Sequence, residues 1–271
     1  MAGVTEPTYE HAAALRAKWA RDLPVVGPFL QLPAPGVVEI FAHAGFDLVN
    51  IDLEHGTINF ETAENMVRAA NVHGIAPMVR VLANRPELIT AALNIGAAGV
   101  LVPHVSTMDE AAAAVAAAKF GPVGTRGVCP FVRAAGYSAH KETGFYELAN
   151  TSVVTCVMLE GSAGLDALDD ILTLAELDIV FVGPYDLSQS LGVTGQIMHP
   201  LVVGAVEGAC VKAARHAKAV GLFVEEAERA AEWVRRGVRY VGLDIDTQIM
   251  YRAGKAIRAE LSHGLEAVAA E

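Results

Sequence analysis

The stretch Phe46-Asp-Leu-Val-Asn-Ile-Asp52, followed by Leu53-Glu-His-Gly56, decides the fold class of this chain. Its first part is a short, largely apolar run of the kind that forms a β-strand, and its second part brings acidic groups and an imidazole. A parallel strand that is buried on both faces is a near-continuous apolar run, so charged groups at its carboxyl end require a reason. In a barrel of alternating strands and helices, that end carries the active site.

Similar apolar runs recur along the chain, with amphipathic segments between them. The predicted strands are Val25–Leu32, Phe46–Asp52, Pro77–Val81, Gly99–Pro103, Val153–Glu160, Ile179–Gly183, Gly221–Val224 and Tyr240–Asp244. Strand–helix alternation repeated eight times implies parallel strands with right-handed crossovers. The rival is an open doubly wound sheet, but no GxGxxG motif follows the first strand, and polar residues end nearly every strand. We therefore predict an α/β fold, a (β/α)8 TIM barrel.

The length of 271 residues fits one barrel domain of about 250 residues plus an extension. We assign residues 1–271 to a single domain, with an N-terminal helix over residues 1–22 and an extra C-terminal helix over residues 246–271. Residues 123–150 and 193–200 are longer than the minimal strand–helix unit requires. Long loops at this rim commonly shape access to a site.

Helix start signals support this division of the chain. Asn84 precedes Arg85 and Pro86, which predicts that Asn84 caps the following helix. Thr107 with Glu110 predicts a capping box ahead of an alanine-rich helix.

Composition and charge disfavour several classes of protein. A hydrophobic content of 53% argues against disorder, and a net charge of −11 disfavours a nucleic-acid or anionic-membrane surface. No apolar run reaches the ~18 residues of a membrane span. The three cysteines form no CxxC pair, which is typical of a reducing compartment. We expect a cytoplasmic protein that binds neither nucleic acid nor a membrane.

Two carboxylates end neighbouring predicted strands: Glu160 ends the fifth, and Asp186 follows the sixth. Facing one pocket they would repel each other, and a divalent cation would relieve that repulsion. Hard cations such as magnesium and manganese prefer oxygen ligands, with water in the remaining positions. The alternative is that each carboxylate caps a helix or pairs with a basic residue.

Arg80 ends the third predicted strand, and its planar guanidinium suits a carboxylate or a developing enolate oxygen. An ion pair with Asp52 or Glu54 is the alternative, and the two roles are compatible. His55 is the natural general base, because histidine is the residue type suited to proton transfer near neutral pH and this one follows the two carboxylates. A loop histidine is more often a surface or capping residue, which is our expectation for His43, His73, His104, His140, His199 and His216. Of these, His104 also follows the end of a predicted strand.

With these residues in view, the chain resembles the HpcH/HpaI family of metal-dependent, pyruvate-using class II aldolases over nearly its whole length. The matching stretches are Ala44-Gly-Phe-Asp47, Ile51-Asp-Leu-Glu-His-Gly56, Met78-Val-Arg80, Leu93-Asn-Ile-Gly-Ala-Ala-Gly-Val-Leu-Val-Pro103, Gly124-Thr-Arg-Gly127, Arg133-Ala-Ala135, Leu159-Glu-Gly161 and Phe181-Val-Gly-Pro-Tyr-Asp-Leu-Ser188. Each is a weak signal alone, but eight in the family order with family-like spacing are a strong one.

The resemblance implies a barrel whose last helix swaps onto a neighbouring subunit, within a hexamer built from dimers. It implies that Glu160 and Asp186 bind magnesium or manganese, with cobalt as a further candidate. It places Arg80 on the keto or enolate oxygen of pyruvate and makes His55 the proton-transfer residue. The backbone of Gly183, Pro184, Tyr185 and Asp186 is implied to hold the pyruvate carboxylate.

The implied reaction cleaves a 4-hydroxy-2-oxo acid to pyruvate and an aldehyde, or condenses the two. Asp52, Glu54 and Asn94 are expected to support it. Asn94 stands where the family commonly has the aspartate that partners the catalytic histidine. An asparagine oxygen can still accept the imidazole N–H of His55, but it lacks the charge that stabilises imidazolium, so proton abstraction by His55 is expected to be weaker. Met158 stands where the aldolases commonly have glutamine.

Two other functions remain open at this point. One is an acyl-CoA lyase of the citrate-lyase β-subunit type, and the other is a non-catalytic barrel that binds pyruvate or another metabolite. Residues 129–145, with Phe131, Tyr137 and Phe145, are expected on the aldehyde side of the pocket.

Overall fold

The computed structural model describes residues 7–141 and 144–270. Eight parallel strands close into a barrel, each hydrogen-bonded to the next and β8 to β1. They are β1 (Val25–Leu30), β2 (Leu48–Asp52), β3 (Ala76–Arg80), β4 (Gly99–Val102), β5 (Val154–Leu159), β6 (Ile179–Val182), β7 (Ala219–Val224) and β8 (Tyr240–Ile245). All eight predicted strands are confirmed, with ends displaced by at most two residues.

Helices connect the strands and surround the barrel. They are α1 (Pro7–Ala20), α2 (Pro35–His43), α3 (Phe60–His73), α4 (Pro86–Asn94), α5 (Met108–Ala118), α6 (Phe145–Ser152), α7 (Ser162–Asp166), α8 (Leu168–Ile171), α9 (Pro184–Ser190), α10 (Pro200–Arg215), α11 (Ala227–Arg235) and α12 (Asp246–Ala270). A 3-10 helix covers Arg133–Ser138. The helices expected at the two ends correspond to α1 and α12. Residues 1–6 and 271 of those expected helices lie outside the described residues.

The barrel interior is filled by large side chains that face glycines. Phe29 and Phe181 pack edge to face, with ring centroids 6.0 Å apart. A Cβ atom on Gly221 would lie 2.3 Å from Phe181, and one on Gly242 would lie 2.6 Å from Phe29. The small residues on β7 and β8 therefore make room for the rings, and the interior is a packed core with no channel.

Helix capping agrees with the sequence-based prediction for α5 and differs from it for α4. Thr107 and Glu110 form the predicted capping box at the start of α5. The prediction that Asn84 caps α4 is wrong, because the cap position is Arg85 and Pro86 is the first helical residue. The Asn84 side chain instead donates to the Glu110 carbonyl, 3.1 Å away, which ties the α4 end of the rim to α5.

The helix α1 lies across the amino-terminal face of the barrel and is fixed there by polar contacts. Arg16 donates to Asp178, with Nη2 2.9 Å from Oδ2, and to the Ser152 carbonyl. Trp19 donates from Nε1 to the Arg239 carbonyl over 3.0 Å. Within the part of the chain that the structure describes, no helix combines the length and apolarity that crossing a membrane requires.

Candidate active site at the barrel mouth

A cavity of about 140 Å³ opens at the carboxyl end of the strands. Seven residues predicted for the site line this cavity: His55, Arg80, Glu160, Gly183, Pro184, Tyr185 and Asp186. Apolar side chains complete its wall: Phe29, Met158, Phe181, Phe223 and Ile245. The cavity therefore joins the polar tips of β2, β3, β5 and β6 to the top of the apolar core. This is the end of a (β/α)8 barrel at which chemistry takes place.

Arg80 is held by a two-point ion pair with Asp52. The two residues are direct partners in the register of β2 and β3. Arg80 Nε lies 2.9 Å from Asp52 Oδ1, and Nη2 lies 2.7 Å from Oδ2. Burial alone would raise the pKa of the Asp52 carboxyl, but the hydrogen bonds and charge of Arg80 outweigh it and hold that pKa below its ordinary value. The guanidinium is thereby fixed in orientation while it still borders the cavity.

Asp52 also shapes the turn that carries His55. Its Oδ1 accepts the backbone N–H groups of Glu54, at 3.0 Å, and of His55, at 3.2 Å. The imidazole of His55 is more than half exposed and lies at the cavity wall, with Nε2 3.9 Å from Glu54 Oε2. One buried carboxylate thus positions both the arginine and the histidine.

Glu54 is a buried carboxylate between three basic side chains. Its Oε2 lies 3.2 Å from Arg80 Nη1 in an ion pair, although the angle does not make a hydrogen bond. Its Oε1 lies 2.8 Å from His104 Nε2. Glu54 therefore couples the tip of β2 to the tips of β3 and β4.

Glu160 is the more deeply desolvated of the two predicted metal ligands. Burial is the main reason that the pKa of the Glu160 carboxyl is raised, and the charges of Glu54 and Asp186 act in the same direction. The charge and backbone N–H of His104 oppose this shift. A carboxyl group that is buried beside other acidic groups is a good ligand for a cation, because the cation removes the repulsion.

The donor set fits a hard divalent cation that keeps water or substrate ligands. Within residues 7–141 and 144–270, no group of three or more His, Cys, Asp or Glu side chains is arranged to hold a metal ion by itself. Glu160 and Asp186 line one cavity and supply carboxylate oxygens. Magnesium and manganese are commonly bound through one or two carboxylates, with water in the other positions.

Asn94 does not lie at this site within the chain. It ends α4, the helix that runs from the rim back to the amino-terminal face before β4. Its Oδ1 accepts from Arg126 Nη2 over 2.9 Å. The expected contact between Asn94 and His55 is therefore wrong for one subunit, and Glu54 is the carboxylate nearest to that imidazole among those described.

The residues expected on the aldehyde side of the pocket also lie elsewhere in the subunit. Tyr137 contacts Arg68 on α3, and Phe131 is exposed to solvent. Phe145 is buried against Phe120 and Tyr9, with ring centroids 5.9 and 6.2 Å away, respectively. The segment from residue 129 to 145, apart from residues 142 and 143, which are outside the described residues, therefore does not line the cavity of its own subunit.

Two residues near the cavity, Glu225 and Arg252, were not predicted for the site from the sequence. Tyr185 donates to Glu225, and burial together with that carboxylate raises the pKa of Tyr185 to about 12. Arg252 of α12 lies 3.3 Å from Glu225 Oε2 and 3.0 Å from Asp244 Oδ2. Only the position of Glu225 and Asp244 at the ends of β7 and β8 pointed to this cluster.

A larger cleft of about 750 Å³ lies at the amino-terminal face, between α1 and α10. Its charged groups already satisfy one another, since Arg16 pairs with Asp178 and Arg239 with Asp22. It lies at the amino-terminal ends of the strands, whereas chemistry in a (β/α)8 barrel takes place at their carboxyl ends, so the smaller cavity is the candidate active site.

Comparison with known proteins places the chain in a family. The family model HpcH/HpaI aldolase/citrate lyase matches residues 26–253. A 4-hydroxy-2-oxo-heptane-1,7-dioate aldolase from Salmonella typhimurium is 34% identical over 237 residues, which are 87% of this chain and 89% of that protein. A pyruvate aldolase from Rhizobium etli is 32% identical over 237 residues, which are 88% of this chain and 92% of that protein. A solved HpcH/HpaI aldolase/citrate lyase family protein from Burkholderia cenocepacia J2315 superposes with a TM-score of 0.87 and 32% identity, covering 92% of this chain and 99% of that one.

The fold and the site define a (β/α)8 barrel enzyme with a carboxylate and arginine centre. The chain belongs to the HpcH/HpaI aldolase/citrate lyase family. The expectation of a carbon–carbon lyase of the pyruvate aldolase type is confirmed by these relatives.

Proposed function

We propose that this chain is a divalent-metal-dependent aldolase that cleaves a 4-hydroxy-2-oxo acid to pyruvate and an aldehyde, or condenses the two. One observation carries the proposal: Arg80, held rigidly by Asp52, borders the same cavity as Glu160, Asp186 and His55. The fixed guanidinium of Arg80 suits an oxo acid whose carbonyl oxygen gains negative charge during the reaction.

Each group then has a defined task. Glu160 and Asp186 hold the cation, which when bound polarises the keto group as a Lewis acid. Arg80 stabilises the enolate oxygen that develops when the C3–C4 bond breaks. His55 accepts the proton of the 4-hydroxyl group in the cleavage direction, which releases the aldehyde, and protonation of the enolate at C3 then gives pyruvate. At the start of α9, the backbone N–H groups of Tyr185 and Asp186 lack helical partners and are offered to the pyruvate carboxylate. Pro184 has no N–H group, and the N–H group of Gly183 donates to the Leu159 carbonyl over 3.2 Å.

Magnesium or manganese is the proposed metal, with cobalt as a further candidate, because the two ligands are both carboxylates. We propose a hexamer in which α12 packs on a neighbouring subunit, since Ile257, Leu261 and Leu265 of this helix are exposed. A cytoplasmic location is proposed from the three cysteines, none of which forms a disulfide.

Exchange of the methyl protons of pyruvate into heavy water tests the metal, the arginine and the base together. We expect exchange with Mg²⁺ or Mn²⁺ and none with EDTA. Glu160→Ala and Arg80→Ala should abolish it, and His55→Ala should slow it. The exposed His216, at the end of α10, supplies the control His216→Ala, which should behave as wild type. Exchange that survives EDTA would contradict the proposal.

A non-catalytic pyruvate-binding barrel is the second candidate, favoured by Asn94, which stands where the family commonly has aspartate, and by Met158 in the cavity wall. Calorimetry that detects metal-dependent pyruvate binding, without any methyl-proton exchange, would support it. An acyl-CoA lyase is separated by turnover of a malyl-type CoA ester without activity on hydroxy-oxo acids.

A further inference from the structure

His104 lies at the mouth of the barrel, where its side chain is more than half exposed, as expected of a surface residue, but also contacts two acidic residues. It follows β4 and bridges two carboxylates from neighbouring strands. Its Nε2 lies 2.8 Å from Glu54 Oε1, and its Nδ1 lies 2.7 Å from Glu160 Oε2. Its backbone N–H also donates to Glu160 Oε2 over 2.9 Å. The same oxygen of Glu160 is therefore held twice by one residue.

This arrangement leaves the two oxygens of Glu160 with different surroundings. Oε2 is occupied on the β4 side by His104. Oε1 lies on the β6 side, where a Cβ atom on Gly183 would be 3.2 Å from it. The β6 side is also the side of Asp186, which follows Gly183 at the start of α9. The carboxylate thus has one oxygen contacted by His104 and the other beside Gly183, on the β6 side of the cavity.

The backbone of His104 departs from ordinary geometry to make these contacts. Its φ is +56°, in the left-handed region that residues with a Cβ rarely adopt. In this conformation the ring and the N–H group of the same residue converge on Glu160. Strain of this kind persists where the surrounding contacts determine the conformation, and it is concentrated at functional sites.

We propose that His104 is a positioning residue that orients Glu160 for the divalent cation, with Glu54 holding the far side of its ring. The inference rests on the proposed metal-dependent function, and it adds a residue that acts on the metal through Glu160. Groups that hydrogen-bond a metal-ligating carboxylate fix its orientation, and their loss typically weakens metal binding by about 10- to 100-fold.

Two variants separate the ring from the backbone. His104→Gly removes the imidazole but keeps the N–H group and tolerates the positive φ. His104→Asn also tolerates this φ, and it restores a side-chain N–H donor near the position of Nδ1. Free Mn²⁺ is measured by electron paramagnetic resonance during titration of the whole protein without substrate. Thermal unfolding in EDTA, with His216→Ala as the control, reports any general loss of structure.

The expected result is Mn²⁺ binding about 10- to 100-fold weaker for His104→Gly. We expect recovery to within about fivefold of wild type for His104→Asn and unfolding temperatures close to wild type for both. Mn²⁺ binding of His104→Gly within twofold of wild type would overturn the inference, as would an Asn variant no better than the Gly variant. Failure of the wild-type protein to bind Mn²⁺ is a different result, because it would reject the proposed metal-dependent function itself.

Discussion

Asp52 and Arg80 lie directly opposite each other at the tips of β2 and β3, and their side chains meet in a fork-to-fork ion pair. Asp52 is fully buried, and the same carboxylate accepts the backbone N–H groups of Glu54 and His55. This one cross-strand pair therefore fixes the guanidinium of Arg80, the proposed enolate-stabilising group, and the turn that carries His55, the proposed base.

Arg80→Lys should lower the rate of pyruvate proton exchange by about 100- to 1,000-fold, the usual effect of losing one oxyanion donor. Lysine keeps the charge but cannot form the planar fork that Asp52 holds. Deuterium incorporation followed by NMR measures the rate. Arg68→Lys, at an exposed position on α3, is the matched control. An Arg80→Lys variant within tenfold of wild type would show that the fork is unimportant.

Asp52→Asn should destabilise the fold by about 3–5 kcal/mol, because it leaves the buried Arg80 charge without its partner. Asp52 has a lowered pKa in the folded protein, so its ionised form stabilises the fold above its ordinary pKa of about 3.9. That contribution is lost as the pH falls through the lowered, folded-state pKa.

Urea denaturation at pH 7 and at pH values below 4 measures this effect of Asp52→Asn. The stability difference between wild type and variant should shrink in acid. Asp22→Asn removes the exposed partner of Arg239 and should leave the stability unchanged within error. A difference for Asp52→Asn that stays constant down to acid pH would contradict the argument.

Gly183→Ala should weaken Mn²⁺ binding at least tenfold while leaving the fold intact. The added Cβ would lie 2.7 Å from Glu160 Cγ, so the proposed ligand would have to move. Titration with Mn²⁺, together with circular dichroism, distinguishes the two effects. Gly36→Ala is the control, because a Cβ there meets no atom within 4 Å. Unchanged Mn²⁺ affinity in Gly183→Ala would mean that Glu160 is not a ligand.

One thiol of the native protein should react with Ellman's reagent at pH 8, and all three should react after unfolding. Cys129 is partly exposed, whereas Cys156 and Cys210 are buried. Burial raises the pKa of Cys210 to about 11 and that of Cys156 well above its ordinary value, so little thiolate is present. Cys129→Ser should remove the fast reaction. A fast phase that remains in this variant would place another thiol at the surface.

Ile257→Glu combined with Leu261→Glu should dissociate the proposed oligomer. Both side chains are exposed and lie four residues apart, on one face of α12, whose start packs against β8. Size-exclusion chromatography with light scattering measures the mass. Lys255→Glu changes a polar position on the same helix and serves as the control. A wild-type protein that is already monomeric would contradict the proposed hexamer.

The strands and the type of site were predictable because their signals are local. Each buried strand is a continuous apolar run, and each polar tip follows its own run in the sequence. Arg80 was expected to border the pocket and to pair with Asp52 or Glu54, and it does both. Closure of the barrel brings the carboxyl ends of β2, β3, β5 and β6 to one cavity.

The placement of Asn94, His104 and the segment 129–145 was not predictable in the same way. Asn94 belongs to a stretch that resembles the family, but α4 carries it to the opposite face of the barrel. His104 was expected to be a surface or capping residue although it follows a strand, and its proposed role depends on a left-handed backbone at the end of β4.

By itself the sequence determined eight buried strands, their order and the polar groups at their ends, since apolar periodicity is a property of neighbouring residues. Only the tertiary structure decided which groups meet: Glu54 with His104, His104 with Glu160, and Asn94 with Arg126. Hydrogen bonds act over about 3 Å, and the path of the folded chain alone brings residues separated by dozens of positions within that distance.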